Sequence, residues 1–405
     1  MNIEADRPPR RTLPRAVAWG LIAALAFAAW RVFVDPSAAF HRAESAQDVR
    51  AAPSRRAELA RAAIHAAPLD GRPYRFLAEA LLAQRRPADA SGLFEVAAAR
   101  GPRDLPSQTW LANQALAQGD FPAALARIDI ILRVQPQLGP KIYPVMAALA
   151  IRAHEQPAVA SVLAKQPPWR PTFMQNLLRS APDSAAIFGL VELLRHAPPG
   201  LSNDELGWWL DRLIAEHRWS TAYLTWAASL DPAERDHIGN VFNGSFELEP
   251  SQQGFGWRFG RPPGARISRE QVTGATGSLA LRIAFEDRRV PFHDVRELLA
   301  LPPGDYRFTG RSRLDQLRTE RGLVWSLSCA EDNRLIVETQ PFAGNHAWRD
   351  FEQQVTVPAA NCAAQWLTLL LPARIPAEQR IGGTAWFDGL EMERVSPEQR
   401  PGARS

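Results

Sequence analysis

The stretch NVFNGSFELEPSQQGFGWRF, from Asn240 to Phe259, marks a change of pattern in this 405-residue chain. Before it, Ala, Leu and Arg recur at helical spacing. After it, short apolar runs are cut by Gly and Pro, which is typical of strands and turns. The stretch itself has the composition of a first strand. The sequence therefore predicts a helical part followed by a β part that opens here.

Length and charge limit the classes of function. A chain of 405 residues is long enough for two or three domains. It carries 47 basic and 43 acidic residues, a net charge of +4. Beyond the N-terminus the arginines are scattered among Glu and Asp, whereas nucleic-acid binding needs a dense basic stripe. No nucleic-acid partner is therefore predicted.

The N-terminal segment has the pattern of a membrane anchor. Four arginines in residues 1–15 precede an apolar run from Ala16 to Val34, about 28 Å long as a helix. Arg31 lies near the far end, where it can reach the headgroups, and tryptophans lie near both ends. We predict a cytoplasmic N-terminus (1–15), a transmembrane helix (16–34) and a linker (35–45). The rest would lie in the periplasm, as in a single-pass protein of a bacterial inner membrane. The alternative is a signal peptide cleaved after Ala39.

A period of 34 residues separates Pro68, Pro102 and Pro136, and such a period indicates a repeat architecture. Residues 72–102 and 107–136 align with matching apolar and small positions. The matched positions are Leu77 with Leu111, Ala78 with Ala112, Ala90 with Ala124, Phe94 with Ile128, and Pro102 with Pro136. This pattern resembles tetratricopeptide (TPR) repeats. Small residues let paired helices approach, and Pro ends the second helix.

The resemblance implies a helical solenoid over residues 46–235. Two of its hairpins are clear, and the flanking segments keep the phase less well. Stacked repeats of this kind present a concave surface, so the resemblance implies a protein partner bound by the solenoid.

Beyond residue 240, seven candidate strands recur at a spacing of about ten residues, which is typical of a β-sandwich or jelly roll. The predicted sandwich covers residues 240–395, and residues 396–405 are predicted to be a disordered tail. The predicted fold class is thus a multidomain α plus β protein, with a transmembrane helix, a TPR-like α-solenoid and an antiparallel β-sandwich (jelly roll).

Five motifs of the β part resemble the galactose-binding-like jelly roll of carbohydrate-binding modules. They are NGSFE (Asn243–Glu247), GFGW (Gly254–Trp257), TGSLALRI (Thr276–Ile283), LPPGDYRFTG (Leu301–Gly310) and WFDGLEM (Trp386–Met392). The resemblance implies a glycan ligand stacked on an exposed aromatic ring. We predict Trp257, Trp325 and Trp348 as candidates, with Trp257 first because it follows a glycine-rich loop.

The same resemblance implies a structural calcium ion where the first and last strands meet. The matching positions here are Glu247 and Asp388. Many members have two consecutive acids where this chain has Asp388–Gly389, so one ligand is absent. The alternative is a pair of solvated carboxylates at strand ends, and no other cofactor is predicted.

The two cysteines, Cys329 and Cys362, form a disulfide if the β part lies in an oxidising compartment. The alternative is two buried thiols. Neither cysteine has a CxxC or His neighbour that would indicate a metal site.

No catalytic motif is present: HExxH, GxSxG and P-loop patterns are all missing. We therefore predict a non-catalytic adaptor that holds a protein on its solenoid and a glycan on its jelly roll, in the synthesis or export of exopolysaccharide or envelope polysaccharide. One alternative is a structural scaffold that binds no sugar. Another is a polysaccharide hydrolase or lyase that uses Glu286 and Asp287.

Overall fold

The structure, a computed structural model, describes residues 51–395. Twelve α-helices occur in these residues: α1 (Pro53–Ala66), α2 (Arg72–Ala83), α3 (Pro87–Arg100), α4 (Leu105–Gln118), α5 (Phe121–Val134), α6 (Gly139–Ala150), α7 (Gln156–Leu163), α8 (Arg170–Ser180), α9 (Ser184–His196), α10 (Asn203–Ala215), α11 (Trp219–Ser229) and α12 (Pro232–Arg235). The first seven carry a proline at one of their first two positions, where a missing N–H costs no helical hydrogen bond.

Ten strands follow the helices. They are β1 (Arg258–Phe259), β2 (Ala265–Gln271), β3 (Leu279–Arg289), β4 (Val295–Leu299), β5 (Gly304–Thr319), β6 (Val324–Cys329), β7 (Leu335–Glu338), β8 (Gly344–Val357), β9 (Gln365–Leu370) and β10 (Arg380–Arg394). The first sheet has the order β1-β4-β9-β6-β7, and the second has the order β2-β3-β10-β5-β8. Every pairing is antiparallel.

The chain divides into two compact units. One contains residues 51–173 and 189–200, and the other contains 174–188 and 201–395. The boundary falls inside the predicted 46–235 solenoid, so α10 and α11 belong to the same unit as the two sheets.

The predicted fold class includes a transmembrane helix, and the described residues contain none. No helix within residues 51–395 is both long and apolar enough to cross a membrane. The longest have 14 residues, about 21 Å at about 1.5 Å per residue, against a hydrocarbon core of about 30 Å. The described residues therefore give no support to the predicted single-pass inner-membrane location. Segment 16–34, on which both predictions depended, lies outside the described residues, as do 1–15, 35–45 and 396–405.

The described chain is thus an α+β structure of twelve α-helices and two antiparallel sheets. In α2–α5, the aligned repeat positions are buried in the same way. Eight of them are at most 7% exposed, namely Leu77, Ala78, Ala90, Phe94, Leu111, Ala112, Ala124 and Ile128. Pro102 and Pro136 are exposed and each lies two residues after its helix ends. Membership of the TPR family stays a prediction.

The turns between these helices are held by side-chain caps. Asp104 accepts a hydrogen bond from Ser107 N at 3.3 Å, and Asp120 accepts one from Ala123 N at 3.1 Å. Both satisfy an N–H group that has no partner within the helix. Gly119 ends α4 with φ +73°, a left-handed conformation that glycine adopts without strain.

The stretch that marks the change of pattern is a loop as far as Trp257, and the strand predicted for it was wrong. Its strand β1 begins only at Arg258. Asn243 and Phe246 have φ values of +50° and +57°, which an extended strand does not accommodate. The Asn243 side chain accepts from Leu248 N and donates to Leu248 O, both at 3.1 Å. Trp257 Nε1 donates to Asn243 O at 3.3 Å. These bonds close the loop.

The loop supplies two rings to an aromatic cluster between the sheets. The ring centroids of Phe246 and Trp257 lie 5.0 Å apart, and those of Trp257 and Trp325 lie 5.8 Å apart. Trp325 also contacts Phe387 at 5.5 Å and Phe308 at 6.3 Å. The motifs that resemble carbohydrate-binding modules therefore meet in the core, where burial of large rings provides much of the stabilisation.

Candidate functional site

The outer face of the second sheet carries an aromatic and cationic surface. Along β5, Tyr306, Phe308 and Leu314 belong to the core between the sheets. Because side chains of a strand alternate between faces, the arginines between them lie on the outer side. We call this outer surface the Trp348 face. It comprises Arg282 of β3, Arg311 and Arg313 of β5, Trp348 and Asp350 of β8, and Trp386 of β10.

Trp348 is held in a defined orientation and keeps part of its surface in solvent. Its Nε1 donates a hydrogen bond to Thr273 O at 3.0 Å. Gly274 lies so close that a Cβ there would come within 2.9 Å of Trp348 Cδ1. The guanidinium carbon of Arg311 lies 5.5 Å from the ring centroid. The indole is therefore fixed by its neighbours, which lowers the entropy that a ligand must remove on binding.

Trp386 lies between two arginines in the same face. It pairs with Arg282 of β3 and with Arg313 of β5. Their guanidinium carbons are 5.8 Å and 4.9 Å from the Trp386 ring centroid, within the range of cation–π attraction. Trp386 is only 8% exposed, so its ring is largely covered and positions the two arginines.

Two acidic side chains balance part of this charge. Arg311 Nε lies 3.1 Å from Asp350 Oδ1, and Arg311 Nη1 donates to Gly274 O at 2.8 Å. Arg282 Nε lies 2.8 Å from Glu270 Oε2. Asp350 is 86% exposed, so its ion pair with Arg311 is worth at most about 1 kcal/mol. Both pairs can exchange for a ligand at low cost.

Two of the three predicted sugar-stacking residues lie in the core. Trp257 and Trp325 are each 1% exposed, and their rings contact each other. A sugar can stack only on a ring face that it can reach, so both predictions were wrong. The reason for Trp257 is the closed loop before it, which turns the ring inward. Trp348 is partly exposed and remains a candidate.

The predicted calcium ligands are Glu247 and Asp388, and both accept hydrogen bonds from residues 276–279. Glu247 Oε1 accepts from Ser278 N at 2.8 Å and Leu279 N at 2.9 Å, and its Oε2 accepts from Ser278 Oγ at 2.7 Å. Asp388 accepts from Thr276 N through one oxygen and from Gly389 N, at 2.7 Å, through the other. All four carboxylate oxygens thus have donors.

These contacts move the two pKa values in opposite directions. Burial alone would raise the pKa of Glu247, but the N–H groups of Leu279 and Ser278 and the Ser278 hydroxyl outweigh it and lower the pKa. For Asp388, which is 0% exposed, burial dominates and raises the pKa despite its two N–H donors. The negative charge of Glu247 adds to that increase.

This donor set does not fit a calcium ion. Calcium takes 6–8 oxygen ligands, whereas these carboxylates face N–H and O–H donors. Within residues 51–395 no group of three or more His, Cys, Asp or Glu side chains could hold a metal ion. The Glu247–Asp388 pair is a hydrogen-bonded junction of the first loop and the last strand.

Cys329 and Cys362 form a disulfide in the structure. Cys329 ends β6, and Cys362 lies in the loop before β9, its neighbour in the first sheet. Both are in the core, so the bridge closes the end of this strand pair.

The carboxylates of the predicted hydrolase alternative form surface ion pairs. Asp287 lies 3.1 Å from Arg380 Nε and 3.6 Å from Arg318 Nη2, and Glu286 lies 3.6 Å from Arg288 Nη1. Arginine partners hold the pKa of Asp287 below its usual value, Arg380 most of all. A general acid needs a raised pKa, so this arrangement disfavours Asp287 in that role.

Sequence reasoning missed the contribution of Trp386 and of the arginines beside it. The signal was present as alternation, since YRFTGRSRL (residues 306–314) spaces its three arginines four and two residues apart, which places them all on the strand face opposite to Tyr306, Phe308 and Leu314. What was hidden is that β10 lies between β3 and β5, which brings Arg282 and Arg313 to the same tryptophan.

No family model matches this chain, and no curated protein matches it. Solved structures are similar over part of it. A CBM4 carbohydrate-binding module is 16% identical, covers 38% of this chain and 99% of its own, and has a TM-score of 0.29. The CBM22-1 xylan-binding domain of Xyn10C from Paenibacillus barcinonensis is 12% identical, covers 38% and 92%, and has a TM-score of 0.27.

A CBM61 module in complex with β-1,4-galactotriose is 15% identical, covers 39% of this chain and 98% of its own, and has a TM-score of 0.26. The matched region is the C-terminal β part. These three structural neighbours of that part are carbohydrate-binding modules. Identities and scores of this size do not assign a ligand to this chain.

Proposed function

We propose that the β-sandwich binds a glycan on the Trp348 face and has no catalytic activity. The observation that carries the proposal is the indole of Trp348, which is oriented by Thr273 and Gly274 and still partly exposed. The apolar face of a pyranose stacks on such a ring. Arg311 and Asp350 beside it can exchange hydrogen bonds with sugar hydroxyls.

The test is a glycan screen of the full-length protein, followed by titration calorimetry of each hit. Trp348→Ala should abolish binding or weaken it at least about tenfold, since stacking on an aromatic ring is worth about 0.5–1.5 kcal/mol beyond burial. Trp366→Ala is the matched control, because Trp366 is also partly exposed but lies on the first sheet beside Arg258 and Arg296.

Loss of binding in Trp366→Ala alone would place the site on the first sheet and refute this proposal. A folded protein that binds no glycan would favour the structural scaffold. Release of new reducing ends from a bound polysaccharide, lost in Glu286→Gln or Asp287→Asn, would favour the hydrolase.

We propose a second binding function for the helical part. The supporting observation is that α2–α3 and α4–α5 bury equivalent small residues, Ala78 and Ala90 in one pair and Ala112 and Ala124 in the other. Repeats packed in this way form extended surfaces that take a protein segment. If both functions hold, the chain is an adaptor of the kind expected in polysaccharide synthesis or export.

A purified partner should bind the full-length protein saturably. Its affinity should fall in Ala90→Leu, which disturbs the packing of α3, and persist in Ala88→Leu, an exposed position of the same helix. Glycan binding should be unaffected by either change. Equal affinity for all three proteins would place the partner site away from these repeats.

A further inference from the structure

The arginines of the Trp348 face form a row with its two tryptophans. Trp386 pairs directly with Arg282 on one side and with Arg313 on the other. On β8, the pairs Ser312↔Arg349 and Leu314↔His346 bracket Arg313. Trp348 lies between those two β8 positions, where the register shifts, and is therefore on the strand next to Arg313. The order across four strands is Arg282, Trp386, Arg313 and Trp348.

Arg313 differs from the other two arginines of the Trp348 face in having no ion-pair partner. Arg282 pairs with Glu270 and Arg311 pairs with Asp350. Within residues 51–395, Arg313 has no ion pair, and its guanidinium carbon lies 4.9 Å from the Trp386 ring centroid. Its side chain is partly exposed. Arg313 is thus a positive charge without an ion-pair partner in the middle of the face.

No acidic side chain within residues 51–395 forms an ion pair with Arg313, although the exposed Asp315 lies two residues further along β5. Glu352 of β8 interacts electrostatically with Arg307, near the start of β5. The pKa of Arg307 is raised mainly by Glu393 and further by Glu352. Glu270 and Asp350 already have arginine partners. Among Arg282, Arg311 and Arg313, it is Arg313, beside Trp386, that has no ion pair within residues 51–395.

We infer that the Trp348 face selects glycans whose sugars carry a carboxylate, as uronic acids do, and that Arg313 binds this carboxylate. The inference depends on the proposed function. A neutral sugar needs only the ring of Trp348 and hydroxyl partners. A planar guanidinium with free donors matches a carboxylate in a two-pronged arrangement, and such charge-assisted bonds are about twice as strong as neutral ones.

A second arginine of the face, Arg282, can bind a second carboxylate of the same glycan. Arg282 and Arg313 lie two strands apart, about 9–10 Å at the usual strand spacing. A polymer with repeated carboxylates that crosses the strands can reach both, with exchange of Glu270 from Arg282. Binding should then weaken as salt is raised, because the attraction between exposed charges is screened.

The experiment compares an oligouronate with its carboxyl-reduced derivative, which has the same linkages and no charge. Both are titrated into the full-length protein and into Arg313→Ala, Arg313→Lys and Arg374→Ala. Arg374 is an arginine outside the second sheet and is the matched control. Circular dichroism confirms that each variant is folded.

We expect the oligouronate to bind at least about tenfold more tightly than its reduced form, the size of one charge-assisted hydrogen bond. Arg313→Ala should remove that preference, Arg313→Lys should keep part of it, and Arg374→Ala should keep all of it. Equal loss in Arg374→Ala would show general charge attraction and overturn the inference.

The outcomes separate this inference from the proposed function. Equal binding of both forms, lost in Trp348→Ala, would leave the glycan site standing and refute the selection of acidic sugars. A preference for the oligouronate that survives Arg313→Ala would refute the role of Arg313. Binding of neither form, nor of any other glycan, would refute the proposed function itself.

Discussion

Helices α2–α5 and the β-sandwich bury their cores in opposite ways. The helices pack through small residues repeated at one interval, such as Ala78, Ala90 and Ala124, each 0% exposed. The sandwich packs through large rings around Trp325, which come from segments far apart in the chain. The burial of a repeated small residue can be predicted from the sequence, because each helix packs on its sequence neighbour. The burial of a large aromatic ring cannot, because the same residue type occurs in both the core and the outer face.

The largest expected effect is in the sandwich core. Trp325→Ala removes a ring that contacts Trp257, Phe308 and Phe387 and should lower the free energy of unfolding by about 3–5 kcal/mol. The measurement is denaturant unfolding followed by near-ultraviolet circular dichroism. Trp348→Ala, on the outer face, should cost less than about 1.5 kcal/mol. Equal costs would erase the distinction between core and face.

The disulfide should come next. Cys329 and Cys362 are 33 residues apart, and opening a loop of this size costs about 3–4 kcal/mol on the chain-entropy model. The double variant Cys329→Ser/Cys362→Ser should lose that amount in the same unfolding measurement. Because these are the only two cysteines of the chain, a reductant should leave the helical repeats unaffected. Similar stabilities with and without the bridge would mean that the loop is held by packing alone.

Overpacking in the repeats should have a smaller effect. Ala90→Leu adds volume at a position that is 0% exposed and should destabilise the helices by about 1–3 kcal/mol. Loss of far-ultraviolet ellipticity on heating measures it. Ala88→Leu, exposed on the same helix, should stay within about 0.5 kcal/mol of the parent. A silent Ala90→Leu would contradict close helix packing.

A buried carboxyl in the sandwich should produce a shallow pH dependence. Glu297 on β4 is 1% exposed, and its Oε1 accepts from Phe242 N at 2.7 Å. Its Oε2 has no hydrogen-bond partner within residues 51–395. Burial raises the pKa of Glu297 well above its usual 4.5. Folding therefore favours the neutral form, and its stabilisation is complete below pH 4.5 and lost as pH rises through the folded pKa.

Glu297→Gln keeps an acceptor for Phe242 and removes the titration, so stability should become flatter above pH 4.5 and exceed that of the parent at neutral pH. Glu378→Gln is the opposite case, since a hydrogen bond from Arg321 holds the pKa of Glu378 at about 2. Its contribution is present above pH 4.5 and lost as pH falls toward 2. Thermal melts from about pH 3 to about pH 8 measure how stability changes with pH in both variants. A parent whose stability rises with pH above 4.5 would contradict the assignment for Glu297.

Removal of metal ions should leave the stability of the protein unchanged. Glu247 and Asp388 already accept hydrogen bonds through all four oxygens, so neither a chelator nor added calcium should shift the melting temperature. Calcium-dependent melting that disappears in Asp388→Asn would show that these carboxylates exchange their N–H donors for the ion.

The sequence by itself determined the parts that depend on near neighbours. The 34-residue period located the buried alanines, because each helix pair packs on the next pair along the chain. Alternation in YRFTGRSRL is also sufficient to separate the two faces of β5, because side-chain direction along a strand has a period of two. The count of two cysteines limited a disulfide to Cys329 with Cys362 but left two buried thiols as the alternative, which the structure resolved.

Only the tertiary structure decided which tryptophans are available and what surrounds the carboxylates. Trp257 and Trp348 both lie next to polar stretches of the sequence. A loop closed by Asn243 buries Trp257, whereas Trp348 on the edge strand β8 is partly exposed. Arg313 lies between two tryptophans because strand order places β10 and β8 on either side of β5. These relations join residues tens of positions apart, and no local pattern carries information about them.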